Sequence, residues 1–307
     1  EEQGMPNNGK GHAGNGERGL RPHFAPGCGH IRETAAYLFD YQNFAQVPAT
    51  TIAHCESPVF NYPRGKGGYR DLCPKVGSLQ YFVRSSSDTF EDISPSLIST
   101  FELQKIALLD MRLLNSDRNA SNILLIPKPY HQQMVTSGRR NSRTSSVGSC
   151  NSEHDGEMDC VVEFVDEDRE SVSTTPTAVT HHYQQSKDQY ELVPIDHGYC
   201  FPTKLRINEW DWTWLYTSQM SKEVDPEIKR YINSIDIDEL LANVAGQVNL
   251  HPDSIFLLRI AHKVIVDGIA AGLTLRQIAE LMCRFDEDKP SPLEKLIECA
   301  EDNAFQT

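Results

Sequence analysis

Three oxygen-bearing side chains stand where they could hold and direct a phosphate. Asp117 and Asn122 lie five residues apart inside LLNSDRNASNILLI (113–126), and Asp196 opens Asp196-His197-Gly198. The apolar tail Ile123–Ile126 reads as a short buried strand, and YELVPI (190–195) reads as another. Paired as a hairpin, they would bring both polar clusters to neighbouring strand ends. An Asp, an Asn five residues on, an apolar strand, a return strand and an Asp-x-Gly together suit phosphoryl transfer. The first Asp orients the attacking hydroxyl and accepts its proton, while the Asn and the second Asp hold magnesium against the nucleotide phosphates. Magnesium is a hard cation that takes such oxygen ligands. Gly198 is expected to turn the chain away after the metal ligand. Asp-x-x-x-x-Asn alone is unspecific: Asp and Asn are also common turn residues that bond nearby backbone, and Asp-His-Gly makes an ordinary turn.

The elements that must position these residues can be read outward from them. IRETAAYLF (31–39) has good helix formers with apolar residues at 31, 35, 38 and 39, and predicts a helix that Pro48 keeps from continuing. Thr50–His54 and SLQYFV (78–83) predict strands, with a Gly-rich loop at 61–72 between them. Leu97–Leu109 predicts a helix leading into the polar loop. The composition then shifts. Residues 127–188 are mostly Ser, Thr, Gln and charge: Arg139, Arg140 and Arg143 come first, then nine carboxylates and one arginine within 151–170. Such a segment buries too little apolar surface to offset its ordering entropy and is expected to be a disordered insertion; Val161–Val165 alone could form an edge strand. It is then an inflated hairpin turn, since lengthening a loop from about 5 to about 60 residues costs only about 2 kcal/mol in closure entropy. Beyond it, Pro252-Asp253 starts a helix that Gly272 ends, and Thr274/Gln277 and Ser291/Glu294 make two capping boxes. These three helices predict an all-α platform.

Bulk properties exclude some functions. The 307 residues carry a net charge of −14 and 39% hydrophobic content. A real core is affordable, but nucleic acid is a poor partner because phosphate binding needs a basic footprint. Eight scattered cysteines without a Cys-x-x-Cys pair suit a reducing cytosol rather than zinc or a disulfide framework. No window approaches about 18 uninterrupted apolar residues, so no membrane span is expected and the expected location is cytoplasmic or at the membrane periphery. The start, Glu1-Glu2-Gln3-Gly4, has no signal-peptide pattern and no Met, as in a fragment or processed chain.

LLDMRLLNSDRNASNILLI (108–126) and LVPIDHGYCFP (192–202) closely resemble the phosphatidylinositol 3-/4-kinase family, nearest to its plant-type gamma class. IRETAAYLFD (31–40) resembles the family's early helix, KVGSLQYFV (75–83) its hinge strand, and EWDWTWLYTSQ (209–219) and GIAAGLTLRQIAELMCR (268–284) its C-terminal region. The resemblance covers most of the chain. It implies an α+β, two-lobed kinase-like fold, with a truncated N-lobe and hinge over 1–83 and a mainly helical C-lobe over 84–307. It also implies ATP and Mg2+ as cofactors. Asp117 would be the catalytic Asp, with Asn122 and Asp196 as magnesium ligands. Gln80, Tyr81, Phe82 and Val83 would line the adenine pocket, and Glu33 would pair with a nucleotide-binding lysine. Arg118 would either neutralise charge beside the phosphates or form a salt bridge to a nearby carboxylate. The lysine-bearing strand and its glycine-rich cover would precede Glu1; Lys10 is the nearest lysine, in a loop without a strand pattern. Where the family usually has His after Asp-Arg and Gly before the Asn, this chain has Asn119 and Ser121, neither of which carries the metal or the proton.

The expected acceptor is an inositol hydroxyl of phosphatidylinositol at a membrane surface. A protein Ser/Thr hydroxyl would use the same machinery, and a non-catalytic scaffold or inactive relative is a further reading. Lys204 and Arg206 are the basic residues nearest the segment after Asp196, a scarcity that suits a headgroup with one phosphate. Of the tryptophans at 210, 212 and 214, core anchoring is the leading expectation, with dipping into a membrane interface the alternative. Ser142 and Ser146, three residues after Arg139 and Arg143, would suit an upstream basophilic kinase. Cys200 is expected to be a small core residue.

Overall fold

A computed structural model describes Arg21 and residues 23–57, 74–128 and 189–304, with the side chains of 301–304 left out. The 61–72 loop, the Val161–Val165 island, Ser142, Ser146 and all but the first two residues of the 127–188 insertion lie outside the described residues. Helix α1 (Gly29–Phe39) packs on a two-stranded antiparallel sheet, β1 (Thr50–Cys55) and β2 (Lys75–Gln80), in which Thr50 faces Gln80. β2 ends three residues before the predicted Val83. Only the Tyr81 amide still bonds across, to Ala49 O at 2.8 Å, so Tyr81–Val83 run on as a free connector.

Helix α2 (Thr100–Leu113) is the axis of the core. Ser99 caps its start by accepting the Glu102 amide, and Leu114, in the left-handed region at φ 52°, closes its end. Every residue from Glu102 to Leu113 is buried, among them Glu102, Lys105, Asp110 and Arg112. Those charges misled the pattern reading, which ended the helix at Leu109. Burying a charge is costly unless it is paired or hydrogen-bonded; Glu102, Lys105 and Asp110 have ionic partners, whereas Arg112 has a phenol and a ring, with its Nε and Nη2 left without hydrogen bonds. Lys105 Nζ lies 2.9 Å from Glu102 Oε2, which also accepts the Leu192 amide of the hairpin. Arg112 donates to Tyr231 Oη at 2.9 Å and lies over the Phe39 ring. Asp110 receives Arg118 Nε at 3.0 Å, Trp214 Nε1 at 2.8 Å and Asn115 Nδ2 at 3.0 Å.

The hairpin forms as expected: β3 (Ile123–Pro127) pairs antiparallel with β4 (Tyr190–Pro194), Leu125 facing Leu192. Pairing continues to Lys128, whose amide reaches Gln189 O at 2.8 Å, so Pro127 and Lys128 belong to the hairpin and not to the insertion.

The helical part is larger than predicted. Besides α5 (Pro252–Ala270), α6 (Leu275–Met282) and α7 (Pro292–Ala304), it contains α3 (Pro226–Asn233) and α4 (Ile237–Ala245). Asp225 before Pro226, and Asp236, are side-chain caps whose signal was present in the sequence. Both capping boxes form, and Gly272 adopts φ 81° just after α5. Helices α3, α5 and α6 pack on α2. Among the described residues, no helix is long and apolar enough to cross a membrane.

Removing one partner of a buried ion pair strands the other charge. Asp110→Ala should therefore lower the unfolding free energy by about 3–5 kcal/mol in chemical denaturation. Asp110→Ala/Arg118→Met should cost less than the two single changes summed, because no buried charge is left alone. A Cβ at Gly268 would meet Ile278 Cγ1 of α6 at 2.7 Å; Gly268→Ala should destabilise by about 1–3 kcal/mol in the same assay.

Candidate active site

The loop after α2 is held from behind. Asn115 spends its amide on Asp110 and accepts the Asp117 amide at 2.9 Å through its side-chain oxygen. The Ser116 amide reaches Tyr199 O, and Arg118 N and O bond Asp211 O and Thr213 N. Trp212 Nε1 donates to Asn115 O at 2.7 Å. Arg118 is wholly buried: beyond its pair with Asp110, its Nη1 donates at 2.6 Å to both Asn122 O and Ile195 O. Of the two readings of Arg118, the salt bridge is the one realised. Its guanidinium, paired with Asp110, is a strut that fastens the loop to β4.

That strut brings the three predicted oxygen groups together. The Ile195 amide donates to Asn122 O at 3.0 Å, which places Asp196 beside the end of the loop. Asn122 Nδ2 donates to Asp117 O at 3.0 Å, so the end of the amide left for a metal is its oxygen, the donor type magnesium requires. Asp196 is exposed and sits in the left-handed region at φ 53°. The turn expected at Gly198 follows: His197 O accepts the Cys200 amide at 3.1 Å across Gly198 and Tyr199. Gly198 also matters for space: a Cβ there would lie 3.3 Å from Asp196 Oδ1. Glu33 of α1 accepts the His197 amide at 2.7 Å, and its Oε2 lies 3.6 Å from His197 Nδ1.

Two clefts are lined by neighbours of these residues. One, of about 500 Å³, is lined by Gln80, Tyr81, Phe82 and Val83 together with Leu124 and Ile195, so the free connector after β2 and the strand end beside Asp196 form its walls. The other, of about 270 Å³, lies beyond Ser116 and is lined by Arg21, His23, Lys204, Arg206 and Asp211. Arg21 bridges the loop after α2 to it, pairing with Asp117 at 3.2 Å and Asp211 at 3.1 Å and donating to Ser116 O. Burial pushes the Asp117 carboxyl above its ordinary range; Arg21 opposes that, and the charge of Asp196 adds to it. Burial also raises Asp211, against its bond from the Asn208 amide and the charge of Arg21. Burial lowers His23, reinforced by Lys204 and Arg206.

Arg21, Asp110, Asn115 and Asp211 were missed in the sequence. Asp110 and Asn115 carried a faint signal, a charge and an amide inside an apolar run. Arg21 and Asp211 meet only through the fold. Trp212 and Trp214 stack at 4.9 Å in the core as expected, but Trp210 is 58% exposed. Cys200 is fully buried, with its thiol pushed up by burial.

Arg21 holds the Asp117 carboxyl down, so Arg21→Ala should raise its pKa further. A carboxyl carbon-13 NMR titration should show the Asp117 transition moving to higher pH, with Asp211 moving in the same direction.

Residues 21–236 match the model of the family described as phosphatidylinositol 3- and 4-kinase. The chain is 31% identical over 295 residues to phosphatidylinositol 4-kinase gamma 4 of Oryza sativa subsp. japonica, covering 92% of this chain and 40% of that protein. It is 31% identical over 298 residues to phosphatidylinositol 4-kinase gamma 3 of Arabidopsis thaliana, covering 92% and 41%. The chain thus spans about two fifths of the length of these curated relatives. With an α+β kinase-like fold and a family match over most of its length, the chain belongs to the phosphatidylinositol 3- and 4-kinase family.

Proposed function

We propose that the chain transfers the γ-phosphoryl group of ATP to an inositol hydroxyl of phosphatidylinositol. The observation that supports this reading is the hydrogen bonding that ties Asp117 to Asn122 and Asn122 to Ile195, the residue before Asp196, next to a cleft lined by the connector after β2. The names of the relatives support phosphatidylinositol as acceptor.

In this reading the adenine lies in the Gln80–Val83 cleft, against Leu124 and Ile195, with residues 1–83 acting as a small lobe and hinge and 84–307 as the large lobe. Asn122 and Asp196 would hold Mg2+, which supplies charge neutralisation at the nucleotide phosphates. The remaining work belongs to the chain. Asp117 accepts a hydrogen bond from the attacking hydroxyl and takes its proton. Arg21 keeps enough of Asp117 ionised for that task despite burial. Asn115 and Arg118 hold the loop so that the carboxylate is aimed before substrate arrives, and such positioning accounts for most of the rate in phosphoryl transfer. Glu33, whose carboxylate already meets the His197 amide and ring, would pair with the nucleotide-binding lysine.

Radiolabelled ATP with Mg2+ and phosphatidylinositol vesicles should yield labelled lipid, and a generic protein substrate should not be labelled. Asp117→Asn should reduce transfer by about 10²–10⁴-fold with folding retained. Asp196→Ala should lose Mg2+-dependent thermal stabilisation by ATP as well as transfer; full activity in that variant would remove its metal-ligand role. Because transfer requires ionised Asp117, activity should fall as pH drops through its raised pKa, and Arg21→Ala should move that acid limb to higher pH.

A further inference from the structure

We infer that the segment before α1 is an autoinhibitory strap: anchored across the loop that follows Asp196, it holds the Arg21 guanidinium on Asp117 and Asp211 and must lift before an acceptor hydroxyl reaches Asp117. The inference rests on the acceptor reading above and adds a restraint built into that site.

The strap is fastened at three points, two of them to a loop about 180 residues away in sequence. His23 O accepts both the amide of Thr203, at 3.1 Å, and its hydroxyl, at 3.2 Å. Phe24 is buried, its ring perpendicular to that of Tyr199 at 5.4 Å and 5.5 Å from the Arg32 guanidinium. Arg32 of α1 donates to Ala25 O at 3.1 Å and also to Gly198 O, which ties the strap to the turn after Asp196. Tyr199 is the saddle, because the Arg21 guanidinium also lies over its ring, 4.9 Å from the centre.

These anchors put Arg21 in the acceptor's way. Its Nη1 donates to Ser116 O and, at 3.1 Å, to Asp211 Oδ1, while Nη2 donates to Asp117 Oδ1 at 3.2 Å. Arg21 lines the cleft beyond Ser116 and Asp117 does not, so the guanidinium stands between that cleft and the carboxylate. A general base must come within hydrogen-bond reach of the hydroxyl it deprotonates, and Oδ1 already holds a donor. The ion pair also weakens the base: the contact that keeps Asp117 ionised is the one that restrains it. The restraint can yield, since the Arg21 and Asp117 side chains are 33% and 32% exposed and solvent screens such a pair. The apparent affinity for an acceptor is then reduced by the fraction of molecules whose strap is open.

The Thr203 amide reports the strap without any transfer, because His23 O holds its proton. It should be protected in amide hydrogen exchange of the unmodified chain. Phe24→Ala removes an anchor without touching Asp117. It should speed Thr203 exchange about tenfold and lower the KM for a water-soluble short-chain phosphatidylinositol by about the same factor, leaving the KM for ATP unchanged. Thr203→Val removes only the hydroxyl bond and should lower the acceptor KM about threefold; it serves equally if Phe24→Ala does not fold. Hydrolysis of Mg2+-ATP, with water as acceptor, should rise in both variants. Rapid Thr203 exchange in the unmodified chain overturns the strap, as does exchange unaltered by Phe24→Ala. Faster exchange with acceptor KM and hydrolysis unchanged or impaired also overturns it, and so does the absence of both activities from all three forms. Hydrolysis raised in the variants, with no lipid labelled by any form, supports the strap and counts against the acceptor reading instead.

Discussion

The carboxylate of Asp110, buried in the last turn of α2, is the constraint on which the candidate site depends. A charge in that position must be surrounded by donors, and it recruits three: Arg118 from the loop that follows, Asn115 from the same loop, and Trp214 from a segment about a hundred residues away. Each donor carries a second obligation. Asn115 also holds the Asp117 amide, Arg118 also clamps Asn122 O and Ile195 O, and Trp214 stacks on Trp212, whose indole holds Asn115 O. Satisfying one buried charge therefore fixes a carboxylate, an amide and a strand end relative to one another. A buried pair is a poor source of net stability but a strong source of geometric specificity, and specificity is what this loop requires.

Arg21 adds a second layer of control. It reaches the loop from before α1 and pairs with both Asp117 and Asp211, carboxyls that burial would otherwise protonate more readily. The proposed general base and the wall of the acceptor cleft thus share one cation. Any anion entering that cleft competes for the same guanidinium, which couples occupancy of the cleft to the charge state of Asp117.

Much of the fold was legible. The period-3.6 apolar residues of 31–39, the strand at 50–54, the hairpin strands and both capping boxes are local signals, and local signals survive in the tertiary structure. Errors arose where tertiary pairing changes what a residue type means. Asp110 and Arg112 look like the end of a buried helix, but with partners they are its continuation. Arg118 looks like a phosphate ligand, but its charge is spent on Asp110. Tyr81–Val83 look like strand, yet only the Tyr81 amide finds a partner across the sheet. Helices α3 and α4 were missed although Asp225-Pro226 and Asp236 announce their starts.

By itself the sequence determined the chemistry available: which oxygens could bind a hard cation, which loop carries them, and which two strands bring Asp196 back to Asn122. Those follow from spacing along a hairpin, because an antiparallel pair places its strand ends together whatever lies between them. Tertiary structure alone decided which charges face the clefts and which are struts. It also set Arg21 beside Asp117 and left Trp210 outside while Trp212 and Trp214 went in. Such outcomes depend on what is packed behind each side chain. A cation in solvent is a ligand for phosphate, whereas the same cation beside a buried carboxylate is already taken, and nothing in its immediate sequence distinguishes the two.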